Sequence, residues 1–122
     1  KLLPGYTEAH NNRGAAYFSL GNPEQEIIDF DEALRLDPES GETLLYRGAA
    51  RAQLGIYQGA VEDLTAALRI GVDAAEAHAQ RALAYTGLEL DEEAESDFEQ
   101  AVTLGVDAAT LRSAITETKS NR

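Results

Sequence analysis

The sequence repeats itself every 34 residues, and this period restricts the possible folds more than any other feature. Within residues 41–74, apolar residues recur at helical spacing in two segments, which are separated by Leu54-Gly55-Ile56-Tyr57. A glycine can adopt the left-handed conformation that ends a helix, so this stretch predicts a helix, a tight turn and a second helix. A shift of one period also aligns GVDAA at Gly71 with GVDAA at Gly105. A strict period of this length is typical of stacked-repeat solenoids.

Small and aromatic residues recur in phase on this period. They are Gly14, Tyr17, Phe30, Ala33 and Pro38 in the first copy, Gly48, Ala60, Leu64 and Ala67 in the second, and Tyr85, Ala94, Phe98 and Ala101 in the third. The pattern resembles the tetratricopeptide repeat (TPR), in which W-x₂-L-G-x₂-Y precedes A-x₃-F and a proline. The resemblance implies an all-α fold, a right-handed α-α superhelix of seven antiparallel helices. The departures from the family pattern are His10, Leu44 and His78 for the tryptophan, Arg51 for a tyrosine, and Val72 and Val106 for the proline.

The period divides the chain into units that form one domain. Residues 7–40, 41–74 and 75–108 are the three repeats, and residues 109–122 predict a C-terminal capping helix with one apolar stripe. Residues 1–6 align with the end of a repeat, so we interpret them as the end of a preceding repeat or a linker. On this interpretation we expect the sequence to be an excised fragment. The alternative is a processed or tag-derived start. Ser40, Asp73 and Asp107 each precede a predicted helix and can cap it.

Two features break the regularity of the repeats. Glu26 occupies the slot that alanine holds in the other two repeats, where a small residue lets two helices touch. A carboxylate buried there should cost stability. In the third repeat the turn glycine moves to Gly87 and Glu89 takes its place. We therefore expect this turn to differ from the turns at Gly21 and Gly55.

Composition excludes several classes of function. The chain has no cysteine, so it can form neither disulfides nor thiolate metal sites. Its net charge of −12 argues against binding to nucleic acid or to anionic membrane surfaces and favours basic partners. No apolar run approaches the roughly 20 residues that a membrane-spanning helix needs. We expect a cytoplasmic protein that is not an enzyme and has no cofactor, with a protein or peptide as its partner, and its oligomeric state stays open.

Charged residues recur in the same register. Each repeat has an arginine on the first helix and an aspartate 16 residues later on the second, namely Arg13 and Asp29, Arg47 and Asp63, and Arg81 and Asp97. This spacing predicts ion pairs that bridge the two helices, and the alternative is an anion site with acidic partners. His10 and His78 share one packing slot two repeats apart, so we do not expect a metal site there.

A second stripe of residues on each first helix is not needed for packing within the hairpin. It comprises Glu8, Asn11, Asn12 and Phe18 in the first repeat, Glu42, Leu45, Tyr46 and Ala49 in the second, and Glu76, Gln80 and Leu83 in the third. First helices line the concave surface in the TPR family, so the resemblance implies that these residues form a peptide-binding groove with one acidic edge of glutamates. The alternative is that they are ordinary half-exposed helix positions.

The groove residues favour a particular kind of partner. Chaperone-adaptor members of the family clamp a peptide's terminal carboxylate with basic residues and asparagines, but the equivalent slots here contain no basic residue: Asn11, Ala15, Tyr46, Glu76 and Gln80. We therefore predict a protein-protein interaction module or scaffold that binds a basic or amphipathic segment. The alternatives are a structural spacer in a longer array and a regulatory domain of a larger protein. The acidic stretch from Asp91 to Glu99 is interpreted as a solvated face, with a docking strip as its alternative.

Overall fold

The computed structural model describes residues 22–122, and every regular element in this part of the chain is an α-helix. The helices are α1 (Pro23–Leu36), α2 (Gly41–Gln53), α3 (Tyr57–Ile70), α4 (Ala74–Gly87), α5 (Asp91–Thr103) and α6 (Ala108–Ser120). The predicted all-α architecture is confirmed. The first of the seven expected helices, at the start of the repeat that begins at residue 7, lies outside the described residues. Between residues 22 and 122, no helix is both long enough and apolar enough to cross a membrane.

The six helices form two layers. Within the hairpins α2 packs on α3 and α4 packs on α5, while α1 packs on α2 and α3 packs on α4 between hairpins. Helix α4 also contacts both α2 and α6. Helices α2, α4 and α6 therefore make one layer, and α1, α3 and α5 make the other. The predicted groove stripes of the second and third repeats both lie in the first of these layers.

Small residues bring the helices of a hairpin close together. Ala60 and Ala67 of α3 are completely buried against α2. A Cβ atom added to Gly48 of α2 would lie only 2.7 Å from Cγ of Leu64 on α3. Because so short a distance would force the helices apart, glycine at this position sets their separation. Phe30 of α1, one period before Leu64, is also completely buried.

The helices begin at the predicted caps. The side chains of Ser40, Asp73 and Asp107 each accept a hydrogen bond from the backbone N–H three residues later, at 3.3, 3.2 and 2.9 Å. Asn22 caps α1 in the same way at 3.2 Å. Each of these bonds satisfies an N–H group that the helix itself leaves without a partner, which confirms the three predicted helix starts.

The turn between α4 and α5 follows the same backbone path as the turn between α2 and α3. Glu89 has φ of 63° and Gly55 has φ of 80°, so both are left-handed. The N–H of Leu90 donates to the carbonyl of Tyr85 at 2.9 Å, and the N–H of Ile56 donates to the carbonyl of Arg51 at 2.8 Å, so each bond spans five residues. The expectation that this turn differs from the turn at Gly55 is therefore wrong, while Gly21 lies outside the described residues. Glu89 accepts a backbone strain that glycine would avoid. Gly87 has another role, since a Cβ there would overlap the ring of Tyr57.

Candidate peptide-binding groove

The predicted arginine–aspartate pairs bridge the helices of both described hairpins. Arg47 donates two hydrogen bonds of 2.9 Å to Asp63, and Arg81 donates two of 2.7 and 2.9 Å to Asp97. Both aspartates are almost completely buried, with exposures of 4% and 2%. The prediction is confirmed for these two pairs. The first pair stays a prediction, because Arg13 lies outside the described residues.

Each of these arginines also reaches the helix before its own. Arg47 donates to Asp31 of α1 at 2.8 Å, and Arg81 donates to Thr65 of α3 at 3.0 Å. Each guanidinium group therefore connects three consecutive helices. The hydrogen bonds to Asp63 raise the pKa of Arg47 above its usual value, so the cation is held more firmly than in water. Arginines that are satisfied in this way have a structural role, which favours the ion-pair interpretation over the anion site.

Each buried aspartate has a further partner that was not predicted. Arg51 donates to Asp63 at 3.0 Å, and Nδ1 of His78 forms a 2.8 Å hydrogen bond with Asp97. Arg51 lies one helical turn after Arg47, and this spacing is the signal that could have identified it. The imidazole of His78 thus belongs, with Arg81, to the group of side chains around Asp97. Among residues 22–122, no three His, Cys, Asp or Glu side chains are grouped so that they could hold a metal ion.

A cavity of about 230 Å³ opens on the face formed by α2 and α4. Its described lining is Glu26 and Phe30 from α1, Leu45, Tyr46 and Ala49 from α2, and Glu76 and Gln80 from α4. Five of these side chains belong to the predicted groove stripe, and the structure brings them together around one space. Glu26 and Phe30 were missed because only first helices were expected to line the groove. The break in the repeat at Glu26 was the available signal.

Two other described residues of the predicted groove, Leu83 and Glu42, are not among the residues that line this cavity. Leu83 lines a second cavity of about 310 Å³ between α2, α4 and α6, whose walls also include Gln53, Tyr57, Glu117 and Asn121. Glu42 lies beside the first cavity, where its carboxylate accepts a 3.5 Å hydrogen bond from the hydroxyl of Tyr46. The residues from the first repeat lie outside the described part of the chain and stay predictions: Glu8, Asn11, Asn12 and Phe18. We call the surface that contains both cavities the groove.

The first cavity combines aromatic walls with acidic groups. The rings of Phe30 and Tyr46 lie 5.8 Å apart and are tilted by 31°. Glu76 is exposed, and its carboxylate accepts a 2.6 Å hydrogen bond from Gln80. Burial, followed by the nearby charge of Glu42, raises the pKa of the Tyr46 hydroxyl above its usual value. Neither cavity has a lysine, arginine or histidine among its described lining residues, whereas Glu26 and Glu76 line the first cavity and Glu117 lines the second.

Glu26 is the most unusual group in the groove. Its side chain is 2% exposed, and within residues 22–122 its Oε2 atom has no hydrogen-bond partner. Burial raises its pKa from 4.5 to about 7, because a low-dielectric environment disfavours the charged form. The other ionisable groups among the described residues that line the cavity are Tyr46 and Glu76, and neither supplies a positive charge. The predicted cost of burying this carboxylate is therefore present in the fold.

Several solved structures resemble this fold. The second TPR of Spaghetti (RPAP3), bound to the HSP90 peptide SRMEEVD, is 26% identical with a TM-score of 0.76, over 81% of this chain and 92% of that chain. The Arabidopsis OM64 TPR domain is 24% identical with a TM-score of 0.82, over 97% of this chain and 98% of that chain. The first TPR of Spaghetti (RPAP3) is 19% identical with a TM-score of 0.84, over 98% and 95% of the two chains.

The sequence itself identifies the family. No curated protein matches it significantly. A family model described as tetratricopeptide repeat, however, matches residues 7–40 and 75–104, which together make up more than half of the chain. Helix order, turn geometry and the small-residue contacts between α2 and α3 agree with that match. On sequence and fold together, the chain belongs to the tetratricopeptide repeat family.

Proposed function

We propose that this chain is a protein-interaction module whose groove binds a basic or amphipathic segment of another protein. Interaction with a protein or peptide as the general function is supported by the family and by the 26% identical Spaghetti (RPAP3) domain, which is bound to a peptide. The observation that supports a basic or amphipathic segment in particular is the charge of the groove. Glu26, Glu76 and Glu117 line its two cavities, and no basic side chain does so in the described part of the chain.

The acidic groove also argues against the ligand of that relative. The peptide SRMEEVD ends in two glutamates, a valine and an aspartate, and it brings a further carboxylate at its terminus. In this chain, Tyr46, Glu76 and Gln80 fall in slots that a carboxylate-binding clamp fills with basic residues or asparagines. All three line the first cavity, where an acidic peptide would meet a carboxylate instead. A basic segment gains from the same arrangement through electrostatic attraction, which accelerates association and discriminates against acidic competitors.

Tyr46 is the best placed anchor for a bound segment. The residue is half-buried, so its ring offers an apolar face to the cavity while the hydroxyl bonds to Glu42. Its ring contacts Phe30 and packs against the buried cluster that includes Leu45, and we expect these contacts to restrict its motion. A rigid aromatic side chain in a partly desolvated cavity is the usual form of a binding hot spot, since little conformational entropy is lost on binding.

Selection from a phage library of random 12-residue peptides, followed by calorimetry with synthetic copies, tests the proposal. We expect Tyr46→Ala to weaken binding by about 2 kcal/mol or more, because the anchor is lost. Glu42→Lys should mainly slow association, measured by stopped-flow mixing, and wild-type affinity should fall as salt rises. Glu92→Lys is the matched control, because this exposed residue lies on α5, away from the groove. It should leave binding almost unchanged.

Other results would favour a different binding face or a spacer role. If neither Tyr46→Ala nor Glu42→Lys changes the binding of the selected peptides, the groove is not the site. A loss confined to Glu92→Lys would then assign binding to the acidic face of α5. If the library yields no peptide that binds above background, the chain acts as a spacer, and the proposal is rejected.

A further inference from the structure

The carboxyl group of Glu26 occupies a position where the fold has no need of it. In the next two repeats the same slot contains Ala60 and Ala94, which are 0% and 4% exposed and fill the space between two helices. An alanine would therefore complete the hairpin without introducing a polar group. A buried carboxylate with an unsatisfied oxygen instead lowers the stability of the fold. Strain of this kind that the fold does not require is typical of functional positions.

The other buried carboxylates of this chain show what Glu26 lacks. Asp63 and Asp97 are as deeply buried, but each receives hydrogen bonds from an arginine on the neighbouring helix. The Oε2 atom of Glu26 has no such donor in the described part of the chain and is almost completely enclosed, so only the second carboxyl oxygen can face the cavity that Glu26 lines. A cation that entered the cavity would therefore meet a carboxyl group without a positively charged partner among the described residues.

The chemistry of the cavity matches a lysine side chain. Leu45, Tyr46 and Ala49 are apolar lining residues that can contact a four-carbon stem, and of the two glutamates that line the cavity Glu26 is buried and Glu76 is exposed. A lysine ammonium is a compact charge that needs only one acceptor in a fixed direction. An arginine requires two acceptors side by side to use its planar fork, whereas Glu26 can present only one oxygen to the cavity because Oε2 is enclosed.

We propose that the first cavity is a receptor for one lysine side chain of the bound segment, and that Glu26 accepts a hydrogen bond from its ammonium group. This inference rests on the proposed function, because it assigns one position of the segment that the groove binds. The raised pKa of Glu26 agrees with it, since an isolated buried carboxyl holds its proton until a counter-charge arrives. Glu26 would then select the segment, while exposed Glu42 and Glu76 attract it.

The test is a double-mutant cycle between the chain and a selected peptide. Peptides taken from the random library on the wild-type chain are synthesised with lysine, with norleucine, which has the same stem without the charge, and with arginine. We expect one lysine at a fixed position in the selected peptides. Its replacement by norleucine should weaken binding to the wild type about tenfold or more, but less than about twofold in Glu26→Gln. Arginine should be a poor substitute.

Two further variants keep the result interpretable. Glu26→Ala restores the residue type of the other repeats and should fold, and it should be as insensitive to norleucine as Glu26→Gln. Glu24→Gln is the matched control, since it removes an exposed carboxylate from the same helix and should keep the full response to norleucine.

The outcomes separate this inference from the proposed function. An equal loss with norleucine in the wild type and in Glu26→Gln overturns the lysine receptor, as does equally tight binding of the arginine peptide. Selected peptides without a fixed lysine overturn it as well. In each of these cases, a loss of binding in Tyr46→Ala would still support the groove. Unchanged binding in Tyr46→Ala would reject the groove itself.

Discussion

Asp63 is the residue whose removal tests most directly what the buried ion pairs contribute. Three hydrogen bonds end on its carboxylate, two of 2.9 Å from Arg47 and one of 3.0 Å from Arg51. The aspartate side chain is 5% exposed, while the two arginine side chains are 19% and 24% exposed. Asp63→Ala would leave two partly buried guanidinium groups close to each other without the anion that now separates their charges.

The expected loss lies between two limits. Removal of one partner from a fully buried ion pair costs ~3–5 kcal/mol, whereas exposed pairs contribute ~0.2–1 kcal/mol. The arginines here are partly solvated, and Arg47 keeps its hydrogen bond to Asp31. We therefore expect Asp63→Ala to lower the free energy of unfolding by ~2–4 kcal/mol. A double replacement, Arg47→Met with Asp63→Leu, should recover much of this loss, because it removes the desolvated charges together.

Urea denaturation followed by circular dichroism at 222 nm measures these differences. Glu95→Ala is the matched control, because Arg112 donates two hydrogen bonds to Glu95 at 3.0 and 2.8 Å in a similar bidentate geometry. That pair is exposed, at 44% and 46%, so its loss should cost ~0.2–1 kcal/mol. If Asp63→Ala costs no more than Glu95→Ala, burial does not set the strength of the pair. The reasoning would then be refuted, and the anion-site alternative would need to be considered again.

Three further predictions concern single positions. The folded-state pKa of Glu26 is about 7 rather than 4.5, so the folded chain binds a proton that the unfolded chain has released. The free energy of unfolding of the wild type should therefore fall by up to ~3 kcal/mol relative to that of Glu26→Gln as pH rises from about 5 to 8. Urea denaturation that gives the same difference between the two proteins at both pH values would contradict this. Glu89→Gly should raise the free energy of unfolding by about 1 kcal/mol through relief of the left-handed strain, and a lower thermal midpoint would disprove it. Gly87→Ala should cost ~1–3 kcal/mol in urea unfolding, because the added Cβ overlaps the ring of Tyr57. The same substitution made in a Tyr57→Ala background should be nearly neutral.

The features that recur in every repeat could be predicted from the sequence. The period located the hairpins, and Ser40, Asp73 and Asp107 marked helix starts because capping depends on chemistry next to the helix in sequence. The pairing of Arg47 with Asp63 was predictable because a constant separation across a hairpin implies a constant geometry. Local and periodic signals of this kind are unaffected by the details of packing.

Features that occur only once could not be predicted in the same way. The turn at Glu89 keeps its shape because the packing of α4 on α5 imposes the left-handed conformation, although a glutamate does not favour it. Arg51 and His78 join the buried aspartates in different repeats, so no period reveals them. Glu26 was recognised as an anomaly, but its contribution to the groove depends on how α1 lies against α2 and α4. Spacing within one helix does not determine that arrangement.

The arginines that connect three helices have a consequence for how this array loses its structure. In a solenoid each unit touches only its neighbours, so the ends can open while the rest stays folded. Arg47 takes acceptors from α1 and α3, so opening of either side breaks hydrogen bonds to this cation. We therefore expect the opening of adjacent units to be coupled. At the next boundary a hydroxyl, that of Thr65, replaces the carboxylate of Asp31, so we expect weaker coupling there and easier opening of the helices after α3.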